Sequence, residues 1–263
     1  MTYKKLYACA LLASIGATTA TYAAFDLAAV QVGGFFSDGS VDNDPTDQNY
    51  YVGYSTSSSI AERRNFFVFD TSGLTTDISA ASLSLTLFDG GLIFGVDTPG
   101  IPPIFDATED FILSGTPATS LEILEPMIDA PSAIGIWDTF GDPSEGIGAI
   151  GFAADEPVPI PPEGLEIVID LTAAGVMLIN DSLLGNGGSG EVILTGRMLD
   201  VSILIPEPEM DELMFGFTDV IKDGLPATTD MPFLSLTEVP ESSSAAWLMG
   251  LVATAAILNR RKR

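Results

Sequence analysis

Residues 62–88 read ERRNFFVFDTSGLTTDISAASLSLTLF, and this stretch decides the fold class. An aromatic, β-branched run from Phe66 to Phe69 closes on Asp70 and is followed by Ser72-Gly73. An Asp behind an apolar strand starts a turn, because its carboxylate takes a backbone amide two residues on. After that turn the period is two. Leu83, Leu85 and Leu87 fall on one face, and Ser82, Ser84 and Thr86 on the other. That alternation is a half-buried strand. Arg64 is placed to pair with Asp70 or with a neighbouring acid.

The same punctuation runs outward in both directions. Short apolar runs separated by Gly, Pro, Asp and Ser clusters predict further strands at Glu166–Leu171, Val192–Leu194, Val201–Ile205, Leu213–Phe217 and Phe233–Leu236. Ile167, Ile169 and Leu171 form the inner face of the first of these. Only Ala173–Leu184 has helical character. The proline-rich segment 155–163, DEPVPIPPE, denies ladder donors and is a loop. The segment 185–190, GNGGSG, lacks the downstream lysine of a phosphate loop and is a turn. Many short strands and one short helix predict an all-β, jelly-roll-like β-sandwich.

Composition narrows the chemistry. The chain has 263 residues, no histidine and a single cysteine, Cys9, inside the N-terminal apolar segment. With that segment removed, Cys-His and Ser-His-Asp catalysis, thiolate or imidazole zinc sites and disulfides are excluded. Of the 36 acids only Glu241 lies in a tail, whereas six of the ten bases do, leaving 35 acids against 4 bases between Ala24 and Pro240. A body at about −31 repels nucleic acid and anionic lipid and suits a salty medium.

Both ends read as addresses. Lys4-Lys5, an apolar run from Leu6 to Ile15 and small residues through Ala23 form a secretory signal peptide over 1–23, with cleavage after Ala23 or Ala24. The exported domain is then 24–238. The end, 239–263, reads VPESSSAAWLMGLVATAAILNRRKR. Its apolar stretch, Ala245–Leu258, gives about 21 Å of helix, a short transmembrane span against the ~30 Å of a hydrocarbon core. Arg260, Arg261, Lys262 and Arg263 set its orientation, because cationic flanks stay cytoplasmic.

This tail resembles the PEP-CTERM sorting segment of Gram-negative bacteria. Val239, Pro240 and Glu241 carry the match, with Ser242 where the family usually has a second proline. The resemblance implies an exosortase-type sorting enzyme as partner, removal of the tail, and association with exopolysaccharide and biofilm matrix. A plain C-terminal anchor shares everything but the Val-Pro-Glu. The stretch quoted at the outset resembles DNRLRE-type, carbohydrate-binding-like jelly rolls, through Arg64, Phe67, Phe69, Asp70, Ile78, Ala81, Leu83 and Leu85.

Two candidate sites lie in the body. Asp38, Asp42, Asp44 and Asp47 form an oxygen-rich loop of the kind Ca²⁺ takes, although the spacing is not that of an EF-hand. A solvated acidic loop is the competing reading. Tyr50, Tyr51, Tyr54 and Trp137 are candidates for a sugar-stacking platform, with core packing as the alternative. Carboxylate pairs are expected by chance in so acidic a body and identify no glycosidase. The expectation is a non-enzymatic, exported surface or matrix protein; a carbohydrate-binding module is the alternative.

Overall fold

The computed structural model describes residues 24–43, 49–55, 59–87, 92–93, 108–116, 118–125, 127–153, 165–199, 212–214 and 231–239. Residues Ala24–Thr237 form one compact unit. The expected signal peptide over 1–23, Pro240, Glu241, the apolar stretch and Arg260–Arg263 lie outside the described residues, as do Asp44, Asp47, the loop expected at 155–163 and the strand expected at Val201–Ile205. Among the described residues no helix is long and apolar enough to cross a membrane.

The body is mostly β. In chain order its strands are β1 (Ala24–Phe36), β2 (Val41–Asp42), β3 (Val52–Ser55), β4 (Ser59–Asp70), β5 (Ile78–Leu87), β6 (Leu92–Ile93) and β7 (Thr108–Ser114). They continue as β8 (Gly146–Ala153), β9 (Leu165–Asp170), β10 (Glu191–Leu199), β11 (Glu212–Met214) and β12 (Phe233–Glu238). Together they make a twelve-stranded, nearly closed sheet. The pairs β1–β12, β1–β4, β4–β10, β7–β10, β5–β9 and β7–β8 are all antiparallel.

β1 joins two ladders. Its first residues pair with β12, from Ala24 opposite Thr237 to Ala28 opposite Phe233. The register shifts between Ala29 and Gln31, and the rest of β1 pairs with β4. A bulge bends a strand and raises its twist, which is how one strand serves two ladders. One ladder continues through β12, β5 and β9; the other runs through β4, β10, β7 and β8. Both contribute to the main apolar cluster. Leu83, Leu85, Leu87, Ile167 and Ile169 come from one, and Phe67, Phe69, Phe111, Leu113, Val192 and Leu194 from the other.

The turn expected after β4 is present, with the Ser72 amide donating to the Asp70 carboxylate at 2.9 Å. Ser72, through its hydroxyl and its amide, holds the Asp70 carboxyl below the ordinary range.

The expectation of a single helix needs correction. The described residues hold three α-helices: α1 (Ser120–Ile123), α2 (Ala130–Trp137) and α3 (Ala173–Ser182), the last within the predicted stretch. A capping box starts α1, with Thr119 and Glu122 satisfying each other's backbone amides. Asp129 caps α2, and Pro131 sits in its first turn, where a missing amide costs nothing. Neither helix is amphipathic over a long enough run to show a clear 3.6-residue period.

Candidate functional site

β4 is buried on both faces because β1 and β10 flank it and packed side chains cover it above and below. Odd-numbered residues Phe67 and Phe69 enter the main cluster. Even-numbered Phe66 and Val68 enter a second one, with Phe35, Ile123, Ala133 and Phe140. Glu62 and Arg64 continue this even face toward α2. Pleating therefore delivers two ionised side chains into a buried place beside the aromatic cluster.

There they form a closed arrangement. Arg64 Nε lies 3.0 Å from Glu62 Oε1, and Arg197 Nε approaches the same oxygen at 3.2 Å. The Arg64 guanidinium stacks 3.7 Å from the centre of the Trp137 ring. Its Nη1 donates to the carbonyls of Trp137 at 2.9 Å and Phe140 at 3.1 Å. A cation thus meets the carbonyl end of α2, where the helix dipole favours positive charge. The Trp137 indole N–H donates back to the Glu62 carbonyl at 3.2 Å. Burial pulls the Arg64 pKa down from its ordinary value, while the charge and hydrogen bond of Glu62 oppose the shift. Gly141, in the left-handed region at φ +62°, lets the chain pass Arg197: a Cβ there would lie 2.2 Å from the Arg197 Cβ.

Arg63, on the odd face, makes a separate pair with Asp42 at 2.9 Å and donates to the Asn49 carbonyl at 3.1 Å. Its guanidinium carbon lies 5.2 Å from the ring centres of both Phe36 and Tyr51. Gly34, two residues along β1 from Phe36, which pairs with Arg63, makes room, since a Cβ there would meet Arg63 Nε at 2.3 Å. Three of the four basic residues of the body are therefore paired with carboxylates, Arg63 and Arg64 as buried side chains and Arg197 as a part-exposed one, and Lys222 lies outside the described residues.

These contacts revise the expected sites. Of the two partners expected for Arg64, it takes the neighbouring acid, Glu62, and not Asp70. Tyr50 and Tyr51 are core residues and present no sugar-stacking face. Tyr50 is 0% exposed and packs on Phe67 at 5.8 Å, and Tyr51 is 8% exposed. Trp137 is partly buried with its ring under Arg64, and the side chain of Tyr54 lies outside the described residues. In the acidic loop, Asp42 Oδ2 is engaged by Arg63. Asp38 accepts from the Ser40 hydroxyl and amide, which hold its carboxyl below the ordinary range. No group of three or more metal-ligating side chains occurs among the described residues.

The arginine cluster was missed in the sequence, although its signal was present: Glu62 and Arg64 share strand parity with Phe66 and Val68. Chemically the cluster fastens α2 and its aromatic cluster to the sheet, with Arg64 Nε directed at a carboxylate and Nη1 at two carbonyls. No protein-family model matches the chain, and no curated protein matches it.

Proposed function

We propose that the chain is an exported protein of the bacterial surface or extracellular matrix, structural rather than catalytic. The body is a jelly-roll-like β-sandwich, its two ladders facing one another across the main cluster. Residues 1–23 direct export. Residues 239–263 are a PEP-CTERM-type sorting tail, in which an exosortase-type enzyme recognises Val239, Pro240 and Glu241. Before processing, the short apolar helix holds the chain in the membrane with Arg260–Arg263 inside. Afterwards the body stands at the cell surface or in an exopolysaccharide matrix.

The observation that carries this reading is the register between β1 and β12. Ala24, the first residue after the expected leader cut, pairs with Thr237, two positions before Val239. Removing both tails leaves the β1–β12 ladder whole. The commitment of the described arginines to carboxylates and carbonyls supports a structural role for the strongest polar cluster. Carbohydrate recognition is the second reading, and with Tyr50 and Tyr51 buried it requires another surface.

Deleting Arg260–Arg263 tests the tail. The cationic flank is what keeps the helix end cytoplasmic, so the truncated chain is expected to lose its normal orientation or retention in cell fractionation. Unchanged localisation would remove the argument.

A further inference from the structure

We propose that Asn186-Gly187 is a site of spontaneous covalent modification, where conversion of the Asn186 carboxamide to aspartate or isoaspartate opens a clasp between α3 and β5. Asparagine is a thermolabile residue, and this is the only Asn-Gly pair in the chain. Reactivity depends on how freely the next backbone nitrogen can meet the side chain. Gly187 has no side chain to block that approach, and a Cβ built there would find nothing within 4 Å. Its φ of +85° lies in the left-handed region, which glycine enters without strain. Asn186 is itself exposed, at the end of a single 3₁₀ turn, Leu184–Asn186. The ring that the reaction closes therefore has open space around it.

The step needs only water. The Gly187 nitrogen loses its proton and bonds to Asn186 Cγ; the Cγ–Nδ2 bond breaks, and ammonia leaves with that proton. Water then opens the cyclic imide at one carbonyl to give aspartate, or at the other to give isoaspartate. This chemistry is the same wherever the body stands, so it is independent of tail processing.

The carboxamide's hydrogen bonds set the consequence. Asn186 Nδ2 donates to Asp77 Oδ1 at 3.0 Å and to the Asn180 carbonyl at 2.9 Å. Asn180, on α3, in turn grips Ile78, the first residue of β5. Its side chain accepts from the Ile78 amide at 2.7 Å and donates to the Ile78 carbonyl at 2.9 Å. An ionised acid at position 186 has no donor for either acceptor and sets a carboxylate against Asp77. The fresh chain ties α3 to β5 through Asn186, and the converted chain loses that tie.

The test begins with the full-length chain aged at mildly alkaline pH. Peptide mapping by mass spectrometry, with fragmentation that separates aspartate from isoaspartate, follows each asparagine. Conversion at Asn186 is expected to be about tenfold or more faster than at Asn43, Asn49, Asn65 and Asn180. Conversion there no faster than at those four would overturn the site. Hydrogen exchange then reads the clasp in Asn186→Asp, where the Ile78 amide is expected to exchange about fivefold faster or more. Adding Asp77→Asn returns a donor to the pair and is expected to recover part of that protection. Unchanged exchange in Asn186→Asp, or no recovery in the double variant, would overturn the clasp.

Discussion

Two clusters of buried side chains lie on opposite faces of β4, and they are held by different forces. Phe67 and Phe69 face a cluster built of leucine, isoleucine, valine and phenylalanine from both ladders. Phe66 and Val68, their immediate neighbours in sequence, face a smaller cluster capped by α1 and α2. The large cluster needs only burial, at about 25 cal/mol per Å² of apolar surface. The small one is roofed by short helices that cannot stand alone in water. Its roof is fastened by polar contacts: Arg64 to the end of α2, Trp137 to Glu62, and the Asn43 amide to the Ile123 carbonyl at 2.8 Å. Where apolar area is short, oriented hydrogen bonds to charged groups hold the chain.

The comparison breaks most readily at its larger side. Phe67→Ala removes a fully buried ring from the main cluster and is expected to cost about 3–5 kcal/mol, read as a lowered urea midpoint. A loss below about 1.5 kcal/mol would mean that the cluster is not the principal source of stability.

The charge cluster comes next. Glu62→Gln leaves Arg64 buried without its counter-charge, and breaking such a pair costs about 3 kcal/mol or more. In a double-mutant cycle with Arg64→Met, the coupling between the two is expected at about 1–3 kcal/mol. Independent, additive losses would show that the pair is not an energetic unit. Hydrogen exchange sharpens the contrast, because protection should fall first in α2 and only later in β5.

How far these features could be read from residues follows from the same contrast. The alternation in β5, the turn at Asp70 and the helix α3 each follow from one local rule, and each is where it was expected. β1 was not expected, because its Ala- and Gly-rich sequence has low strand propensity and becomes a strand through partners on both edges. In β4 both faces are buried, so polar and apolar residues do not alternate, and ERRNFFVF does not disclose which charges go inside. The capping box at Thr119–Glu122 and the Asp129 cap were legible start signals for α1 and α2. The burial of Tyr50 and Tyr51 was not legible, since aromatic residues serve core and platform alike.

The smallest expected effect is in acid. Glu122 and Asp129 are held below the ordinary carboxyl range by hydrogen bonds from Thr119 and Ser132, backbone amide first and side chain second. Asp142 is held down by the Ser144 hydroxyl and then its amide. A depressed folded pKa means stability present above the unfolded value and lost as pH falls through the folded one. The roof of the small cluster should therefore loosen below about pH 4, while the main cluster, which holds no carboxyl group, should not. Exchange protection in α2 and β5 measured through that window checks the order of loss. Simultaneous loss in both would contradict it.

The central claim is that a β body is delivered to the surface between two removable addresses. Mass spectrometry of the protein recovered from the cell surface tests it at both ends at once. The account predicts a chain that begins at Ala24 and lacks the apolar stretch and Arg260–Arg263. An intact surface chain running from Met1 to Arg263 would contradict it.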